Sequence, residues 1–420
     1  MTLSPGRIVG IAVGTLAILG IGVYGPAMLL GPLPAATVTP AAAAESAPAP
    51  VAIPLPTVGQ SALAVLDDAG EPTVIATAGD GTAVPIGGAA KLVTVLTVLD
   101  SLPLVAGQAG PDLTIGPADF TDYLRYRDEG SRVLQVSPAE KWSERDVVRA
   151  VLLASSNNHA DTLARWAFGG VEPYVAAANG WLAEQGFAGT HVADATGLSG
   201  DGVGTAEELT RLVALAVQNP ELVAILDEAG ATEVGQRSVP DVVGHLADRG
   251  VRALTRSYTD QAALTFAFTT TLPGSAGSPI RLVGAMLLIP DYETLDPAIG
   301  AAIDGASAAS APIDLITEGS VYATVRTAWG DRADLIATAT RQGAGWSGAT
   351  GTPDVDVDEI RTSPAGRDVG RVAVATGSGE VESPLEVSSA LEDPGPMWRL
   401  TNPFAILGAF TADQERRAAD

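Results

Sequence analysis

Cysteine is absent from the 420 residues, which excludes disulfides, thiol nucleophiles and thiolate metal sites and leaves stability to packing. Histidine is scarce: His159, His191 and His245 lie far apart and none falls at a metal-ligand spacing such as H-x-x-x-H, so neither a catalytic metal nor another cofactor is expected. Positive charge is also short. The 24 Lys+Arg stand against 49 Asp+Glu, a formal net charge of -25, which repels nucleic acid and anionic head groups and keeps an alanine-rich surface soluble. Charged residues make up only 17% of the chain and apolar ones 46%, with a mean hydropathy of +0.24, so most of it should fold. Its length exceeds what one core usually organises, and a large domain with a smaller one is expected. No internal repeat stands out.

No charged residue occurs from Ile8 to Ala44, and Ile8 to Leu30 is strongly apolar, about the length that crosses a hydrocarbon core of roughly 30 Å. Arg7 and the terminal amine precede this run and Glu45 follows it, so the positive-inside rule keeps the amino end in the cytoplasm and sends the rest out. The run is longer than a cleavable apolar region, which favours an uncleaved anchor over residues 1–31. Cleavage near Ala41–Ala44 is the second reading, supported by the helix-breaking Pro26. The Pro- and Ala-rich residues 32–57 read as an extended spacer.

Beyond the spacer, Ala62–Leu66 and Thr73–Thr77 flank the turn-forming Asp67–Gly70 and predict a hairpin. Ala89 to Leu99 is apolar on nearly all faces and predicts a buried helix. Ser143–Asp146 resembles a capping box opening an apolar helix that stops at the polar cluster Ser155–Asn158. Helices follow from Asn158 to about Phe168, from Tyr174 to Gln185, and after a second capping box at Thr205–Glu208. Ala263–Phe268 and Ile280–Ile289 look like strands, so strands at both ends enclose a helical middle. Residues 58–308 are therefore expected to form an α/β sandwich. Short strand-like runs at Val321–Thr327, Leu335–Thr340 and Arg371–Ala375 predict a small β domain over residues 312–400, followed by a tail over 401–420.

This order of elements, and three sequence segments within it, resembles the serine D-alanyl-D-alanine carboxypeptidases, the low-molecular-mass penicillin-binding proteins. Pro85-Ile-Gly-Gly-Ala-Ala-Lys-Leu-Val-Thr94 is similar to the segment carrying Ser-x-x-Lys: Lys91 matches the lysine, and Gly88 stands where the serine belongs. Leu152 to Ala160 is similar to the Ser-x-Asn segment, with Ser155 and Asn157 in the matching places, and His191–Leu198 resembles the stretch that follows it. The third motif, Lys-Thr-Gly before Tyr-Thr, falls on Thr255, Arg256 and Ser257 when Tyr258 and Thr259 anchor the register. A shift by one sets Arg256 at the lysine and Ser257 at the threonine, with Tyr258 at the glycine. Gly366 to Leu400 looks like the β domain that follows the catalytic domain. The resemblance implies a β-lactamase/transpeptidase-like fold, an antiparallel sheet with a helical cluster, on the outer side of the cell membrane.

In such enzymes, as the resemblance implies, the serine attacks a peptide carbonyl, the lysine takes its proton, Ser-x-Asn relays protons and holds the substrate amide, and the third-motif lysine binds the terminal carboxylate. Glycine at 88 cannot form an acyl-enzyme. Losing a nucleophile costs about 10⁶ in turnover, roughly 8 kcal/mol, whereas substrate binding is a separable contribution. Lys91 in an apolar helix needs a partner if buried, for which Ser155 and Asn157 are the candidates, or else it snorkels to solvent. Ser155–Asn158 also suits a plain helix cap and turn, and Arg256 either a solvated charge or a carboxylate clamp. Three functions follow: a catalytically silent member that binds peptidoglycan stem peptide or cell-wall proteins, an active carboxypeptidase with another hydroxyl such as Ser155, or a structural surface protein.

Overall fold

The apolar run Ile280–Ile289 is buried on both faces, and such a strand belongs in the middle of a sheet. In the computed structural model, which describes residues 5–41, 48–228, 237–274 and 278–419, it is the central strand of a five-stranded antiparallel sheet. We label these strands β1 (Gln60–Leu66), β2 (Pro72–Ala78), β3 (Arg252–Thr259), β4 (Ala263–Leu272) and β5 (Ile280–Ile289), arranged β2-β1-β5-β4-β3. The hairpin around Asp67–Gly70 forms as expected: Asp67 Oδ1 accepts from the Ala69 and Glu71 N–H groups at 2.9 and 2.8 Å.

The helices of this unit are α1 (Ala90–Ser101), α2 (Pro117–Asp128), α3 (Glu144–Leu152), α4 (Asn157–Phe168), α5 (Val171–Glu184), α6 (Ala206–Gln218), α7 (Pro220–Asp227) and α8 (Tyr292–Ala309). The N-cap half of both expected boxes forms: Ser143 Oγ accepts from the Asp146 N–H and Thr205 Oγ1 from the Glu208 N–H, each at 3.1 Å, whereas the Glu208 carboxylate turns to the Gly189 N–H and the Thr190 hydroxyl. On the helical side of the sheet, Ala62, Ala267 and Ala285 form one cross-strand row. Three alanines in register let α6 come close, and Thr210 Oγ1 of α6 donates to the Ala62 carbonyl at 3.1 Å. The alternate residues Leu63, Phe266, Phe268, Leu282 and Met286 are equally buried and face α8, which packs on β4 and β5. The result is a helix–sheet–helix sandwich. α1 runs through its helical side, and every residue from Ala90 to Leu99 is buried, as its all-round apolarity predicts.

Val51–Ala311 makes up this unit; the described residues of Met1–Pro50 and Pro312–Asp420 make a second. The second unit holds a six-stranded antiparallel sheet in the order Thr37–Pro40, Val321–Arg326, Arg332–Ala337, Gly379–Val387, Asp368–Thr376, Asp354–Val357. Its first strand corrects the spacer expected over residues 32–57: Thr37–Pro40 pairs with Ala323–Arg326 along an edge, where proline is tolerated. The tail expected over 401–420 is a helix from Pro403 to Ala419, whose Ile406 is buried with Met28 and Leu33. The N-terminal segment is helical from Pro5 to Leu30 with a π-helical stretch at Ile18–Tyr24, and Val9–Leu30 is long and apolar enough to be a membrane span or a signal sequence.

One buried ion cluster ties α3, α7 and the loop after α1. Glu221, at the first turn of α7, accepts from Arg145 Nε and, at 2.8 Å, from the Gly107 N–H, while Arg145 Nη2 reaches Glu228 at 3.0 Å. Removing one member strands a buried charge. Glu221→Ala is expected to lower stability by about 3–5 kcal/mol in urea denaturation, and a loss below about 1 kcal/mol would mean that Arg145 finds water instead.

Candidate active-site cleft

α1 starts from a tight turn, Gly87–Ala89, seated on two other backbones. A Cβ on Gly197 would lie 1.7 Å from the Gly87 carbonyl oxygen, and Gly197 sits at φ +76°. Only glycine permits that approach. The facing turn is braced by Asp194, whose Oδ1 accepts from the Thr196 N–H and hydroxyl at 2.7 and 3.0 Å and whose Oδ2 accepts from the Ser199 N–H at 2.7 Å. One helical turn past Lys91, Thr94 Oγ1 is 2.8 Å from the Tyr174 hydroxyl and donates to the Ala195 carbonyl at 2.9 Å. The start of α1 is thus fixed by polar groups from α5 and from the 194–199 turn.

Lys91 is buried, so it does not snorkel, and its Nζ donates to the Thr196 carbonyl at 2.7 Å. This corrects the expectation that Ser155 or Asn157 would be its partner. Burial lowers its pKa to about 8, partly offset by the negative charge of Asp194 and reinforced by the nearby Arg132 cation. With no carboxylate in direct contact among the described residues, keeping this lysine buried is costly.

In the second motif, successive residues divide between two sides. Ser155, at a left-handed φ of 49°, and Asn157 line the cleft. Ser156 and Asn158 turn away and hold the neighbouring loop: Ser156 Oγ accepts from the Leu134 N–H at 3.2 Å, and Asn158 Nδ2 donates to the Leu134 carbonyl at 3.1 Å. His159, behind them, is packed edge-on to Trp142 at 4.3 Å, and burial pushes its pKa down to about 3. It plays no part in the cleft.

The third segment lies on the edge strand β3, and of its three residues Ser257 alone lines the cleft, together with Tyr258 and Thr259. Thr255 is buried. Arg256 points elsewhere, donating to the Val242 carbonyl with its guanidinium 5.8 Å from the Tyr292 ring. It is therefore not available as the carboxylate clamp considered for the shifted register. A second cation beside Lys91 does line the cleft: Arg132, which also donates to the Arg256 carbonyl at 2.7 Å. Burial and the adjacent Arg256 hold its pKa below the usual arginine range.

Gly88, Lys91, Arg132, Ser155, Asn157 and Ser257 thus converge on one cleft of about 290 Å³. Gly88 offers it only backbone, and the Gly88 N–H donates to Ser257 Oγ at 2.9 Å. Arg132 and Thr196 were not singled out from sequence. The first sits in a loop with no motif of its own. The second acts through its carbonyl, although its segment, His191–Leu198, had already been matched. Among the described residues no group of three or more His, Cys, Asp or Glu is placed to hold a metal ion.

Residues 52–275 match the family model for D-alanyl-D-alanine carboxypeptidase. A D-alanyl-D-alanine endopeptidase of Pseudomonas aeruginosa is 33% identical over 184 residues, which is 43% of this chain and 56% of that protein, so the chain spans little more than half the length of this relative. Among solved structures, a D-alanyl-D-alanine carboxypeptidase from Mycobacterium tuberculosis aligns with a TM-score of 0.51 at 25% identity, covering 62% of this chain and 95% of that one. Penicillin binding protein 5 from Haemophilus influenzae aligns with a TM-score of 0.55 at 18% identity, covering 82% and 100%; at that identity it speaks for the fold. The chain belongs to the D-alanyl-D-alanine carboxypeptidase family of peptidoglycan metabolism, with the fold of the penicillin-binding transpeptidases.

Proposed function

We propose that this chain is a catalytically silent member of its family that binds a peptidoglycan stem peptide, or a cell-wall protein presenting a similar carboxylate, from the outer side of a membrane in which its N-terminal helix is anchored. The observation that carries this reading is Gly88: the position one helical turn before Lys91 has no side chain to be acylated. The remaining groups suit binding. Lys91 and Arg132 place two cations in a cleft with hydroxyls from Ser155, Ser257 and Thr259 and an amide from Asn157, a set that matches a peptide carboxylate and its neighbouring amides. In a chain of net charge -25, such a local reversal of sign is what an anionic ligand requires.

Two measurements test the reading. The purified full chain, incubated with a fluorescent penicillin, is expected to take up no covalent label, while a stem peptide ending in D-Ala-D-Ala is expected to raise its melting temperature; at a hundred times Kd the gain is about 2.7 kcal/mol. A penicilloyl adduct by mass spectrometry would refute silence, and the absence of any thermal shift at high peptide concentration would refute binding.

A further prediction concerns the energetic cost of Lys91. With its folded pKa near 8, below the unfolded value of 10.5, the lysine destabilises the protein at neutral pH, and the chain recovers that stability as pH rises from 8 towards 10.5. Lys91→Met is therefore expected to be more stable than the unaltered chain by about 1–3 kcal/mol at pH 7. The advantage should shrink towards pH 10 in denaturant titrations, and Lys91→Met should bind the stem peptide more weakly. An equally stable or less stable variant at pH 7 would show that Lys91 is held by compensating contacts rather than kept for a ligand.

A further inference from the structure

The two altered motifs meet at one point. A Cβ placed on residue 88 would lie 2.7 Å from the Ser257 Cβ, 2.9 Å from its Oγ and 3.8 Å from Lys91 Nζ. Carbon atoms in contact sit about 3.5–4.0 Å apart, so at this backbone separation residues 88 and 257 share space for one side chain. In the register anchored on Tyr258 and Thr259, the resemblance places the missing serine at 88 and the missing glycine at 257. Each position therefore carries the residue type that the resemblance assigns to the other.

We infer that the chain has exchanged the serine and the glycine across this contact, so that Ser257 of β3 occupies the seat of the absent residue-88 side chain and closes it to a reacting carbonyl. Ser257 Oγ accepts the Gly88 N–H at 2.9 Å, about the distance a serine at 88 would set between its own hydroxyl and amide. That N–H lies in the turn before α1, at the cleft wall, and is the kind of backbone donor that stabilises a developing oxyanion; in this chain it is already spent on Ser257. Silence then has two causes, a missing nucleophile and an occupied seat, and replacing the nucleophile alone forces Ser257 and α1 apart.

This inference rests on the non-acylating reading given above. It is tested with four full-length proteins: unaltered, Gly88→Ser, Ser257→Gly, and the double variant. In the double variant the hydroxyl introduced at position 88 can attack the β-lactam carbonyl; the ring C–N bond breaks and the proton passes through Lys91 to the released ring nitrogen, so the adduct mass is that of the whole penicillin. The double variant is expected to label about 10–100-fold faster than Gly88→Ser, the range that relief of overpacking supplies. Gly88→Ser is expected to melt below the unaltered chain and the double variant to recover that loss. Lys91→Ala added to the double variant should abolish labelling. Labelling of Gly88→Ser at the rate of the double variant, or a double variant that regains its melting temperature and stays unlabelled, overturns the exchange and leaves the silent reading standing. Labelling of the unaltered chain overturns both.

Discussion

Everything in the cleft is set by how closely the turn Gly87–Ala89, which leads into α1, approaches the 194–199 turn on one side and strand β3 on the other. The Gly87 carbonyl and Gly197 meet with no room for a Cβ, and Gly88 meets Ser257 with room for one. This is backbone packing, which tolerates little relaxation. Once α1 is pinned there, the position of Lys91 follows from helix geometry, because its side chain must project back over the N-terminal turn towards Thr196. The rows of small residues across the sheet have the same purpose at larger scale, since Ala62, Ala267 and Ala285 let α6 lie close enough for Thr210 to bond the strand backbone.

The same constraint explains how a buried lysine is kept in a helix that is otherwise apolar. Among the described residues its ammonium group meets no carboxylate; it donates to a carbonyl at 2.7 Å and feels the field of Asp194. Asp194 spends its own hydrogen bonds on the turn that supplies that carbonyl. Lys91 is thus stabilised through the turn rather than by a direct ion pair, which leaves its charge available to whatever enters the cleft. A direct partner would have neutralised it.

Much of this was legible in the sequence. The apolar residues of Ala89–Leu99 announced a buried helix, the capping serine and threonine at 143 and 205 fixed two helix starts, and alternate residues of Ser155–Asn158 fell on the cleft side because Ser-x-Asn spans the start of a helix. What stayed hidden has physical reasons. α8 is built from glycine, alanine and serine around Pro297, so its periodicity is faint, and only the buried Leu295, Ile299 and Ile303 mark its face. The strand at Thr37–Pro40 was hidden by the prolines around it, because edge pairing leaves proline without penalty where composition suggests a free spacer. Arg132 and the Thr196 carbonyl belong to loops, where position is decided by tertiary contacts and no local pattern reports it.

The contact between residues 88 and 257 was beyond sequence reading for a different reason. Read along the chain, a lost serine and a lost glycine are two separate defects, 169 positions apart, and each alone suggests decay. Placed in the fold they share one volume, since a methylene and hydroxyl at 88 would fill the space that those of Ser257 take on β3. Decay would leave a cavity or an unpaired amide at the start of the helix, and either would cost stability. Here the space is filled and the Gly88 amide is bonded, so on the proposed silent reading chemistry is given up at a point where packing is not. On the proposed reading, a cleft that lacks the reacting hydroxyl at 88 and the third-motif lysine, yet keeps its costly Lys91, a second cation in Arg132 and its packing, is arranged to hold a ligand without transforming it.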